Sequence, residues 1–150
     1  MIKIMFVCHG NICRSPMAEF LMKELVAKKG LENEFYIESA ATSREEIGNG
    51  VYPPVKRILE SRGIDCSQKR ARQITRADYD GFDYIICMDS YNLRNIARIV
   101  EDKDKKVSRL LDFTDTPHDV ADPWYTGDFK TTEKEVELGC KALLKHITQE

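Results

Sequence analysis

Ile2-Lys3-Ile4-Met5-Phe6-Val7-Cys8-His9-Gly10-Asn11-Ile12-Cys13-Arg14-Ser15-Pro16 is the stretch on which the fold turns. Its first half is an apolar strand. Its end is a helix start: Ser15 suits an N-cap, Pro16 suits the first helical position, and Ala18, Leu21 and Leu25 supply a helix-spaced apolar stripe that ends near Gly30. The loop between is therefore held at both ends, and it carries a thiol, Cys8, and a guanidinium, Arg14.

Five residues separate Cys8 from Arg14, enough for the backbone to curl so that successive N–H groups converge on one point. The helix N-terminus adds the positive end of its dipole. Such a nest, running through His9, Gly10, Asn11, Ile12 and Cys13 to Arg14 and Ser15, suits a tetrahedral oxyanion. The same field favours the thiolate form of Cys8, the nucleophilic form. The helix dipole contributes at most about 2 kcal/mol, so the loop amides, Arg14 and the Ser15 hydroxyl must supply the rest, and the motif works only as a unit.

Moving outward, apolar runs at 2–7, 35–41, 83–88 and 107–111 alternate with helical patterns near 16–29, 54–62, 90–100 and 131–148. This is the βαβ rhythm of a parallel sheet. Segments 72–79 and 114–129 carry polar, turn-prone residues instead. Right-handed crossovers and a buried first strand favour an α/β, flavodoxin-like fold: a four-stranded parallel sheet in the order 2-1-3-4 with helices on both faces. Ligands in such sheets bind at the carboxyl ends of the strands, where Cys8 lies. No linker or repeat divides the chain, so residues 1–150 read as a single domain.

A thiolate that attacks a phosphate ester calls for a carboxylic acid to protonate the departing oxygen. Asp122 is the best placed candidate, because Pro123 restricts it to extended geometry and the loop beyond holds Trp124 and Tyr125. Asp112, Asp115, Asp119 and Asp128 compete with it. Asp89 ends the third long apolar strand at the same edge, where it either contacts Arg14 or caps the following helix.

The run from Cys8 to Pro16 resembles the low-molecular-weight protein tyrosine phosphatase family, and the resemblance extends over nearly the whole chain. It implies the same fold and a two-step reaction without metal or organic cofactor. In that reaction Cys8 is the nucleophile, Arg14 the phosphate clamp and Asp122 the acid and then the base. The substrate would be a tyrosine-phosphorylated protein or peptide and the product inorganic phosphate. The resemblance also makes Ser39 a partner of Asn11, which is expected in an unusual backbone conformation, and makes Trp124 and Tyr125 a wall of the cleft. Ser15 reads either as the helix cap or as a donor to the thiolate. Cys13, five residues from Cys8, either packs behind the loop or forms a reversible protecting disulfide with it. His9 has no catalytic role.

Three positions depart from or refine the family pattern. Glu45 stands where phosphotyrosine-specific members usually carry an aromatic in the cleft. Lys69 stands where a histidine supporting Asn11 often occurs. Ile12 stands where arginine-phosphate members carry threonine, and its bulk favours a flat aryl phosphate. The rival readings are a phosphoarginine phosphatase, an arsenate reductase and a non-catalytic phosphate-binding module. Cys87, expected inside a strand, and Cys140, on the last helix, suit the cysteine relay of an arsenate reductase poorly.

Bulk properties narrow the partners. At 150 residues and net charge −2, with 42% hydrophobic and 32% charged residues, the chain can bury a real core and is not a general nucleic-acid binder. No apolar run reaches a membrane-spanning length and no secretory signal opens the sequence, so a cytoplasmic monomer is expected. Five cysteines, none in a Cys-x-x-Cys pair, argue against a disulfide framework and a structural metal. The basic run Lys69, Arg70, Arg72 and Arg76 reads either as a solvated face or as a patch that steers acidic segments. His118 and His146 read as surface histidines.

Overall fold

The continuous apolar character of β1 (Ile2–Cys8) has a structural cause, since the strand is covered on both sides. In the computed structural model, which describes residues 1–149, Ile4, Met5, Phe6 and Val7 are all 0% exposed. Alternate side chains serve opposite faces. Ile4, Phe6 and Cys8 join a cluster with residues of α1 (Arg14–Lys28), α2 (Pro53–Ser61) and α6 (Phe129–Thr148), among them Met17, Leu21, Leu59, Val136 and Leu143. Met5 and Val7 pack with Tyr79 of α3 (Arg76–Gly81) and Ile96 of α4 (Ser90–Ile96). Each fully buried side chain of this size contributes about 1.5–3 kcal/mol.

The strands β2 (Phe35–Ala41), β3 (Tyr84–Cys87) and β4 (Val107–Arg109) complete a four-stranded sheet in the order β2-β1-β3-β4, every pairing parallel. Ile4 sits between Ile37 and Tyr84, and Cys8 lies beside Ala41 at the end of its strand. The first crossover leaves β1 on one side and the next lands on its other side. The crevice of this topological switch therefore opens over Cys8.

Several local expectations are corrected. The helix α1 begins at Arg14, with Cys13 in the N-cap position and no side-chain cap bond. Ser15 is not the cap, because its hydroxyl is engaged by Cys8 and Asn11. The polar segment at 72–79 runs into α3, started by a reciprocal cap in which Thr75 and Asp78 bond each other's backbone N–H. Within 114–129 lies α5 (Pro123–Thr126), closed by Gly127 in the left-handed region at φ 73°. The fourth strand stops at Arg109, and Leu110–Phe113 form a 3-10 turn that sends Leu110 and Leu111 into the α1/α6 core. Leu110 reaches α6 at Gly139, where an added Cβ would lie 2.4 Å from Leu110 Cγ. Among the described residues no helix is long and apolar enough to cross a membrane.

Candidate active site

The turn from β1 into α1 is sharp, and Asn11 makes it possible by taking φ 59°, a conformation that asparagine tolerates better than most residues. Its consequence is convergence on sulfur. The amides of Asn11 and Ser15 donate to Cys8 Sγ at 3.3 and 3.4 Å, and Ser15 Oγ lies 3.0 Å from it. Cys8 is only 3% exposed. Below the loop, Asn11 Nδ2 donates to Ser15 Oγ at 2.8 Å and to Ser39 Oγ at 2.9 Å. Its Oδ1 accepts the Arg72 amide at 3.2 Å. Because Ser15 Oγ already accepts from Asn11, its own proton has two acceptors in reach, Cys8 Sγ at 3.0 Å and the Ala40 carbonyl at 3.4 Å.

Arg14 is buried and held from behind. Its Nη1 donates to Asp89 Oδ2 at 2.6 Å and to the Val120 carbonyl at 2.8 Å, while Nη2 stands 3.4 Å from Asp122 Oδ2. Burial alone would lower the guanidinium, yet Cys8, Asp89 and Asp122 outweigh it and push Arg14 further above its already high ordinary value. A permanent cation thus faces the thiol. Asp89 meets both expectations made of it, since Oδ1 also caps α4 by accepting from the Asn92 amide at 2.8 Å.

Asp122 is the N-cap of α5: its Oδ1 accepts from the Trp124 amide at 3.0 Å, and Pro123 follows at the first helical position. The other carboxylate oxygen is left facing Arg14. Trp124 packs on Tyr52 with ring centroids 4.9 Å apart, which ties this short helix to the start of α2. Asp122, Cys8 and Arg14 all line one cleft of about 390 Å³, whose rim includes Ile12, Glu45, Trp124 and Tyr125. Trp124 and Tyr125 are exposed, while Ile12 is buried against the loop.

Glu45 does not leave a bare gap. Its Oε2 is hydrogen-bonded to His9 Nε2 at 2.8 Å, so the side chain of His9 turns to the rim and not to the loop interior. Gly10 passes beneath the neighbouring residue, with an added Cβ meeting Glu46 Cγ at 3.3 Å. Cys13 is a buried free thiol. Burial, then Cys8 and Asp122, pushes it up to about 12, so it is neutral at neutral pH.

This geometry has close relatives. Residues 3–150 match the sequence profile of the family described as low molecular weight phosphotyrosine protein phosphatase. The chain belongs to that family. It is 41% identical over 153 residues to the low molecular weight protein-tyrosine-phosphatase YfkJ of Bacillus subtilis, covering 100% of this chain and 98% of that one. The crystal structure of YfkJ superposes with a TM-score of 0.95 over 99% of this chain and 96% of that one. A chicken (Gallus gallus) low molecular weight phosphotyrosine protein phosphatase is 41% identical over 95% of this chain and 93% of its own. A Drosophila arginine phosphatase, at 27% identity, has a TM-score of 0.87 over 97% and 98% of the two chains. The fold of the low molecular weight phosphatases thus does not by itself select which side chain carries the phosphoryl group.

The structure brings the expected residues together in two bonded groups, Cys8–Ser15–Asn11–Ser39 and Asp89–Arg14–Asp122, which meet at one cleft. It takes the basic run apart. Arg72 pairs with Asp78 at 2.8 Å, Arg76 Nε donates to the Ile99 carbonyl, and Lys69 turns inward to the Ser39 carbonyl at 2.8 Å. Lys69 therefore supports Ser39 and not Asn11. Sequence reasoning missed Glu19, Val120, Tyr52 and the Arg72 amide. Of these only Glu19 had a signal, a carboxylate one helical turn after Ser15 on the buried side of α1.

Proposed function

We propose that the protein hydrolyses phosphotyrosine in proteins through a cysteinyl-phosphate intermediate. The observation that carries this reading is the convergence of two amides and a hydroxyl on Cys8 Sγ, with Arg14 and Asp122 in the same cleft. Simple phosphate binding would need neither the nucleophile nor the acid.

In the first step Cys8 attacks phosphorus in line. The loop amides and Arg14 take the equatorial oxygens, whose charge grows in the transition state. Asp122 gives its proton to the leaving phenolic oxygen as the P–O bond breaks. Asp122, now a carboxylate, then takes a proton from the water that displaces Cys8, and inorganic phosphate departs. Ser15 donates to the thiolate as it forms. The two steps call for no cofactor. Cys13, neutral and buried, packs behind the loop in this reading.

Ile12 narrows the cleft beside Cys8, and Trp124 offers an exposed ring for the substrate's aromatic group, which favours an aryl ester over phosphoarginine. An arsenate reductase relay is disfavoured, because Cys87 and Cys140 are 0% exposed inside β3 and α6. In this reading residues 1–150 act as one catalytic domain and the protein works as a monomer in the cytoplasm.

The test is a rate comparison on phosphotyrosine, phosphoserine and phosphoarginine peptides with EDTA present. Phosphotyrosine should be fastest, and Ile12→Thr should raise phosphoarginine turnover relative to it. Equal rates on all three, or an unchanged ratio in the variant, would count against the assignment.

A further inference from the structure

Asp119 stands three residues before Asp122 and has the right type for an acid, yet it does not line the cleft of Cys8. It lines a neighbouring hollow that shares Arg14 and Asp122 with the cleft. One of its oxygens is heavily used. Asp119 Oδ1 accepts from the Ser90 amide and the Ser90 hydroxyl, each at 3.0 Å, and from Arg109 Nη1 at 2.8 Å. Burial alone would raise the carboxyl, but its bonds to Arg109 and Ser90 outweigh burial and hold it below its ordinary value. Asp119 is thus a charged acceptor and not a proton donor.

Its partners are fixed. Arg109 ends β4 at the carboxyl edge of the sheet, and its Nε and Nη2 are both bonded to Asp112 Oδ1, at 2.9 and 2.7 Å. Ser90 opens α4, directly after the Asp89 that grips Arg14. Asp119 therefore ties the segment that carries the acid to two rigid elements. From there the path to Asp122 is short. Val120 is 0% exposed, with its amide on the Met88 carbonyl at 2.9 Å and its carbonyl on Arg14 at 2.8 Å, and only Ala121 then intervenes. His118 is bonded to Glu135 of α6 at 2.6 Å, which holds the segment against that helix but leaves its direction toward α4 to Asp119. Downstream the hold is slighter, because α5 has 4 residues and Trp124 and Tyr125 are exposed.

We propose that Asp119 is a positioning residue for the acid: by joining Ser90 to Arg109 it fixes residues 119–122 against the sheet edge, so that the Asp122 carboxyl reaches the leaving oxygen. This deepens the phosphatase reading and rests on it. Asp119 itself touches no reacting atom.

The experiment compares kcat/KM, which covers the steps up to loss of the phenol, for phenyl phosphate and p-nitrophenyl phosphate. Phenolate is about as basic as the tyrosine side chain and needs the acid, whereas p-nitrophenolate leaves without much help. In Asp119→Ala the value for phenyl phosphate should fall about 10-fold, part of the roughly 10²–10⁴ that an acid contributes, and that for p-nitrophenyl phosphate less than about threefold. Inhibition by inorganic phosphate should be unchanged, because Asp89 still holds Arg14. Asp119→Asn, whose carboxamide oxygen can accept the same bonds, should restore the ratio of the two esters to within about twofold. In an Asp122→Ala background, Asp119→Ala should move that ratio no further. The ratio is internal to each preparation, so lost stability or a partly inactive sample does not shift it.

An Asp119→Ala protein with a wild-type ratio, or one that loses both esters equally, overturns the proposal, as does a further shift in the Asp122→Ala background. If Asp119→Ala does not fold, Arg109→Gln must lower phenyl phosphate relative to p-nitrophenyl phosphate, and an unmoved ratio overturns the proposal. Asp122→Ala alone separates the two levels of the argument. If it does not discriminate between the esters, the acid assignment of the phosphatase reading fails and the proposal falls with it; if it does, an unmoved ratio in Asp119→Ala strikes the positioning role alone.

Discussion

Two arginines, one at each pole of α1's surroundings, use carboxylates in opposite ways. Arg62 sits just past the end of α2 and is consumed by its partners. Its Nε meets Glu133 at 2.8 Å, and its Nη1 meets Glu137 at 2.8 Å and Glu24 at 3.2 Å. These three carboxylates come from α1 and α6, so the guanidinium ties three helices together. Arg14 is more deeply buried, yet its short contacts to Asp89 and the Val120 carbonyl both use Nη1. The remaining edge turns to the cleft, where Asp122 is its more distant neighbour at 3.4 Å. One arginine is shared among three carboxylates and becomes a clasp. The other is gripped through Nη1 and leaves its remaining edge at the cleft.

The sharpest way to break this contrast is to substitute both arginines. Arg14→Lys removes the planar fork and should lower kcat on p-nitrophenyl phosphate by about 10³-fold or more, while the melting temperature stays near wild type. Arg62→Ala should do the reverse: activity near wild type, but a loss of about 1–3 kcal/mol in urea unfolding, because three carboxylates lose their shared cation. If Arg62→Ala abolishes activity in the folded protein, the division of labour is wrong.

The grip on Arg14 can be tested separately. Asp89→Asn keeps the α4 cap, since asparagine caps as well as aspartate, but it removes the charge behind Nη1. A fall of about 10- to 10²-fold in kcat is expected from a displaced fork, with stability nearly unchanged. A wild-type rate in this variant would show that Arg14 needs no such support.

The smallest effect is a pH dependence. Glu137 is held below its ordinary value of 4.5, chiefly by its hydrogen bond to Arg62. A lowered carboxylate contributes stability that is present above the unfolded value and lost as pH falls through the folded one. The difference in melting temperature between wild type and Arg62→Ala should therefore shrink as pH falls below about 4.5. A difference that stays constant into acid would mean that the clasp is not electrostatic.

Much of this architecture is legible in the chain, for local reasons. The strand Ile2–Cys8 shows as an unbroken apolar run because helices cover both sides of the sheet. Cys8 and Arg14 share a loop by sequence spacing alone, and Pro123 marks Asp122. What stays hidden depends on tertiary partners. α3 and α5 hold 6 and 4 residues, too few to display a helical period. Ser15 has the right type for a cap, but the loop pulls its hydroxyl to sulfur. Lys69 lies fifty positions from Glu19 in sequence, and a lysine in a basic run reads as a surface charge until the fold turns it inward.

Transfer of the phosphoryl group to Cys8 is the central step of the proposed reaction. Asp122→Ala should trap the transferred group, because p-nitrophenolate leaves without much help from an acid whereas the attacking water still lacks its base. The variant is mixed with p-nitrophenyl phosphate, quenched into denaturant and digested for mass spectrometry. One phosphoryl group on the peptide bearing Cys8, absent when Cys8→Ser is combined with Asp122→Ala, is the predicted result. A phosphoryl group on His9 or another side chain, or nitrophenol release with no modified peptide at any time point, would contradict it.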